Sequence, residues 1–114
     1  MSDRPCIEVW CRDARTDWIE EMQAGAEEEG VWMRATPVAT GDAAALAQGA
    51  SRASALGVGV GECSGQAMIW VEALHRFNPL LHIEIKTREQ ARRLGADAAR
   101  YIKGIPLRNS VEGR

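Results

Sequence analysis

Three residues, Ser64-Gly65-Gln66, separate two runs of strand-forming sequence, 56–63 and 67–73. A parallel crossover needs about a dozen residues, so this link can only make an antiparallel hairpin. Elsewhere strand and helix patterns alternate. "CIEVWC" (residues 6–11) reads as a buried first strand, 16–29 as a helix and 31–38 as a second strand. An Ala-rich helix follows Asp42 and runs to about residue 53. After the Asn78-Pro79 turn, "LLHIEIK" (80–86) alternates as a fifth strand, and 87–103 is the last helix. The order βαβαβββα with one hairpin implies an α/β three-layer sandwich around a mixed five-stranded sheet with one antiparallel strand.

Local signals sharpen these elements. Thr16 or Asp17 is expected to cap the first helix, with Glu20 completing a capping box on Asp17. Trp18, Ile19, Met22 and Ala26 fall on one face, and Gly30 ends the helix. In the second strand Val31, Met33 and Ala35 share one side, and Pro37 places its far end at a sheet edge. The small side chains of the second helix let it lie close to the glycine-rich strand "LGVGVGEC". Thr87 and Gln90 form a capping box for the last helix. Its apolar stripe is Ala91, Leu94, Ala98, Tyr101 and Ile102, with Gly95 allowing close packing. Arg88, Arg92, Arg93, Arg100 and Lys103 occupy the opposite arc and read as a solvated face. Trp10, Trp18, Trp32 and Trp70 are expected mostly in the core.

A chain of 114 residues suits one domain, 1–114, and its 46% apolar and 26% charged residues are globular values. Net charge is −2, which argues against a nucleic-acid binder that neutralises phosphates. The basic residues are arginines apart from Lys86 and Lys103, which weakly favours planar carboxylate partners on another protein. Cys6, Cys11 and Cys63 contain no Cys-x-x-Cys pair and read as thiols in a reducing compartment. No apolar stretch approaches the roughly 20 residues that span a bilayer, and no signal peptide precedes the first strand. A soluble cytoplasmic domain is the expectation.

Familiar catalytic patterns are absent. "GVGVGECSG" does not complete G-x-G-x-x-G, and no G-x-x-x-x-G-K-[ST] occurs. His75 and His82 flank the Asn-Pro turn without a third metal ligand at usable spacing. Ser64 lies in "ECSGQ", which is not a nucleophile elbow. What does stand out is "AGAEEEG", residues 24–30, with Glu27, Glu28 and Glu29 at a helix C-terminus. That end carries partial negative charge, and each carboxylate there costs roughly 0.3–1 kcal/mol. Surface acids of no consequence are one reading. The other is that one carboxylate waits, unsatisfied in the lone chain, for a cation or an arginine brought by a partner.

"GAEEEGV" closing the first helix and "GADAARYIKGIPLR" closing the last resemble the small subunit of the reactivating factor of cobalamin-dependent diol and glycerol dehydratases. The element order between them fits too, so the resemblance spans nearly the whole chain; it departs at Leu94 and Asp97, beside the last-helix glycine. The resemblance implies a fold similar to the dehydratase medium subunit and to anticodon-binding-like domains. It implies no enzyme in this chain, but a chaperone-like complex in which a large subunit with an actin-like ATPase domain holds ATP or ADP. Two large and two small subunits assemble, and exchange with the dehydratase medium subunit frees damaged cobalamin. It also implies that the middle glutamate of the triplet, Glu28, binds a divalent cation (Mg²⁺ or Ca²⁺) shared with the large subunit, flanked at that contact by Glu27 and Glu29. Association with a bacterial microcompartment is a further implication. Competing expectations are a dehydratase-associated subunit with no part in reactivation, and a small metal-dependent enzyme joining Glu28 to a histidine.

Overall fold

The link at Ser64-Gly65 folds as a two-residue hairpin with both residues at positive φ, 53° and 84°. That is the primed turn whose twist matches flanking strands. The computed structural model describes residues 4–109. Strand β1 (Cys6–Cys11) leads into helix α1 (Thr16–Glu28), strand β2 (Trp32–Pro37) and helix α2 (Ala43–Ala53). Strands β3 (Val58–Cys63) and β4 (Gln66–Val71) form the hairpin, followed by β5 (Leu81–Glu84) and α3 (Arg88–Lys103). The sheet order is β2-β1-β3-β4-β5, and β4 alone runs antiparallel to its neighbours. One element was not anticipated: Glu72–Phe77 coils into short 3₁₀ turns between β4 and β5, broken at His75, where φ is +53°. Asn78 then stands in for a strand residue, accepting from Val71 N–H and donating to Val71 C=O, both at 2.8 Å.

Two helices cover one face of the sheet and one covers the other. Ile7 and Val9 of β1, Val58 and Val60 of β3 and Ile69 of β4 meet Met22, Ala26, Leu94 and Ala98 of α1 and α3 in the main core. On the opposite face α2 lies directly on glycines: a Cβ on Gly59 or Gly61 would overlap the backbone of Ser51 or Ala47. The glycine-rich strand is therefore the seat of the Ala-rich helix, as its composition suggested. A single helix leaves Met68 and Trp70 of β4 only half-covered and His82 of β5 exposed.

Two expectations needed correction. None of the four tryptophans is fully buried; Trp32 is 50% exposed, with the Arg4 guanidinium 4.4 Å from its ring. Neither Thr16 nor Asp17 caps α1: Arg15 occupies the cap in extended backbone, with no side-chain bond to the helix end. Asp17 is drawn off by arginines instead, accepting from Arg15 at 3.0 and 3.1 Å and from Arg88 at 3.3 Å. The predicted caps of the other two helices are present, Asp42 on Ala45 N–H and the Thr87/Gln90 box.

Candidate functional site

The acidic end of α1 is built by an unusually close helix crossing. A Cβ on Gly95 would overlap the Met22 carbonyl, and a Cβ on Gly25 would overlap the Arg92 carbonyl. With both absent, α1 and α3 touch backbone to backbone, and the last turn of α1 faces the basic arc of α3. Gly30, at φ +84°, closes α1: its N–H donates to Glu27 C=O and the Val31 N–H to Ala26 C=O, a Schellman pair.

Electrostatically, the tip is not left waiting. Arg92 donates through Nη1 to Glu21 at 3.0 Å and through Nη2 to Glu28. Arg100 Nε donates to Glu29 at 3.0 Å, and Lys103 Nζ reaches the same carboxylate at 3.4 Å. The expectation of an unsatisfied tip in the lone chain is thereby corrected. The arc expected to be solvated is corrected with it, since Arg88, Arg92, Arg100 and Lys103 all turn toward acids of α1. The cause is the Gly25/Gly95 crossing, which puts opposite charges within reach and offsets the helix dipole.

The three glutamates differ in availability. Glu29 is mostly covered, its side chain 12% exposed, between two cations. Glu27 faces solvent and has no ion pair among the described residues. Glu28 is half exposed, 50%, and Arg92 is its hydrogen-bond partner. The Arg92 hydrogen bond holds the Glu28 carboxyl below its ordinary range, helped by the charges of Arg92 and Arg108 and opposed by partial burial. Burial pushes Glu29 up, but its bonds to Lys103 and Arg100 outweigh this and lower it. The Arg92 guanidinium is raised in turn, first by its bond to Glu28 and next by its bond to Glu21.

Arg108 comes close because of a side chain that figures in the sequence only as a departure from the resemblance. Asp97, fully buried within α3, accepts from Arg108 N–H at 2.6 Å, Asn109 N–H at 3.0 Å and the Asn109 side chain at 2.8 Å. It straps the segment after Gly104 back along the helix. The two sequence blocks that carry the resemblance meet in one patch, with Arg100 bonding Glu29 across 71 residues of chain. The only warning in the sequence was an aspartate inside an alanine run.

A second buried carboxylate organises the opposite end of the sheet. Glu62 at the end of β3 is fully buried; one oxygen accepts from the N–H groups of Arg12, Asp13 and Ala14 at 2.8–3.0 Å, and the other from Gly65 at 3.0 Å. Converging backbone N–H groups at the C-terminal ends of parallel strands make the sort of nest that binds phosphate in many α/β proteins. Here the chain fills it with its own carboxylate. The lone acid in a Val/Gly strand was the signal.

The remaining candidates stay apart from this patch. The cavity beside His75 is lined by Ser51, Glu72 and Tyr101 among others, and the one beside His82 by Asp42, Cys63 and Met68; Glu28 lines neither. Ser64 meets Asp13, not a histidine. Among the described residues no group of three or more His, Cys, Asp or Glu could hold a metal ion, so the chain does not assemble a metal cage of its own there. A single carboxylate fits such a role only if other ligands come from a neighbour.

Comparison with known proteins agrees with this picture. The family model described as dehydratase medium subunit matches residues 4–108. A solved structure of a glycerol dehydratase reactivase is 32% identical, with a TM-score of 0.83 over 91% of this chain and 96% of that one. A diol dehydratase-reactivating factor complexed with ADP and Mg²⁺ is 29% identical, with a TM-score of 0.80 over 94% of this chain and 100% of the other. No curated protein sequence matches. With nearly the whole of both chains superposed and the family model spanning almost every described residue, the chain belongs to the dehydratase medium-subunit family, among its reactivase small subunits.

Proposed function

We propose that this chain is the non-catalytic small subunit of a chaperone-like factor that reactivates a cobalamin-dependent diol or glycerol dehydratase. The observation that carries the reading is the end-to-end match to a glycerol dehydratase reactivase at 32% identity. In this reading an ATPase large subunit is the partner, and ATP or ADP sits there. The small subunit competes for a place held by the dehydratase medium subunit, and the exchange loosens the enzyme so that damaged cobalamin leaves. Such exchange needs nearly balanced pairing free energies, tilted by the partner's nucleotide state. Glu28 contributes one ligand to a divalent cation, Mg²⁺ or Ca²⁺, at the contact with the large subunit, with Glu27 and Glu29 at its rim. The complex works in the cytoplasm, free or within a bacterial microcompartment.

Reactivation tests the proposal directly. A dehydratase inactivated with cyanocobalamin is incubated with the large subunit, ATP, Mg²⁺ and adenosylcobalamin, with and without this chain. Activity should return only when both subunits are present; equal recovery without this chain would refute the role. The family model's description favours a second reading, a structural subunit of a dehydratase itself. Stoichiometric co-purification with the active enzyme, and no binding to an ATPase subunit, would select it.

A further inference from the structure

We infer that Arg92 is an internal stand-in for the cation Glu28 shares with its partner, so that docking exchanges one guanidinium arm for the metal. The inference rests on the role of Glu28 proposed above and adds its regulation. The Arg92 guanidinium is divided between two acids of unequal exposure. Nη1 binds Glu21, whose side chain is 25% exposed, and Nη2 binds Glu28, which is 50% exposed. The sheltered arm anchors the group while the outer arm occupies the carboxylate a partner would approach. Nη2 engages Oε2 of Glu28, and a guanidinium held against that carboxylate repels a divalent cation approaching either of its oxygens, so withdrawal of Nη2 favours metal binding. Exposed ion pairs are individually weak, which makes that withdrawal accessible.

The Arg92 backbone does not move with it, because its carbonyl packs where Gly25 lacks a Cβ. The change is confined to one side chain. Glu29 is unsuited to the same exchange, being covered and held by both Arg100 and Lys103. Within the triplet, Glu28 is thus both held by an internal partner and reachable from outside.

Two substitutions on the same bridge should move assembly in opposite directions. Arg92→Gln frees Glu28 and should tighten Mg²⁺-dependent binding to the large subunit about two- to fivefold by titration calorimetry. Glu21→Gln releases the anchored arm, leaves the guanidinium wholly to Glu28 and should weaken that binding. Neither effect should survive in EDTA or in a Glu28→Gln background. A merely structural clamp would shift both variants the same way, and that result, or no shift in either while Glu28→Gln still abolishes the Mg²⁺ dependence, overturns the exchange alone. Unaltered Mg²⁺ dependence in Glu28→Gln would instead remove the proposed role of Glu28 and the exchange with it.

Discussion

Asp97 and Glu62 are fully buried carboxylates that spend their oxygens on backbone N–H groups, Asp97 on the segment just past its own helix and Glu62 on the loop after β1 and on Gly65. Glu62→Ala leaves the N–H groups of Asp13, Ala14 and Gly65 without their acceptor, while Arg12 N–H keeps the Glu62 carbonyl, and should lower stability by about 3 kcal/mol, read from urea unfolding. Asp97→Ala frees the segment after Gly104. Its expected signature is faster amide exchange at Arg108 and Asn109 with the sheet unaffected. Glu28 and Glu29 are shifted below their ordinary 4.5, so their contribution to stability is complete above that value and is lost as pH falls through their lowered folded values. Glu29→Gln should flatten the acid limb of the stability–pH profile, followed as the urea midpoint between about pH 5 and pH 2. None of these roles was legible beforehand. A charge pattern shows that an acid is present, but its partners are brought by the fold, from 11 residues away at Asp97 to 74 at Glu29.

Elements were far easier to read, because their signals are local. The Thr87/Gln90 box, the Asp42 cap and the glycine ends of α1 and α3 all occur where short-range chemistry places them. The cap of α1 was misplaced because Arg15, two residues away, and Arg88 of α3 take the Asp17 carboxylate; only the second contact is tertiary and absent from the local pattern. Gly95 was readable as a packing glycine, whereas Gly25, its counterpart in α1, was not singled out. The crossing needs both. Gly95→Val should force the helices apart at a cost of about 3 kcal/mol. It should also break the Arg92 bridge, so the Glu28 carboxyl, followed by carbon-13 NMR, should return toward 4.5.

For the whole molecule, one three-residue link and the alternation around it were enough to give a mixed five-stranded sheet with its single antiparallel strand, though not the strand order. The patch at the α1 tip was only half visible, its acids apparent and its counterions not. Since the described residues contain no cluster able to hold a metal, EDTA should leave the melting temperature of the isolated chain unchanged while weakening its complex with the large subunit. A chelator-induced drop in the isolated chain would place a metal inside the fold instead of at a contact. The Glu62 nest bears on a different question, namely what an anionic group would meet at that rim of the sheet. A phosphate drifting there encounters a side chain that already engages the N–H groups of Arg12, Asp13, Ala14 and Gly65, so the seat is taken from within.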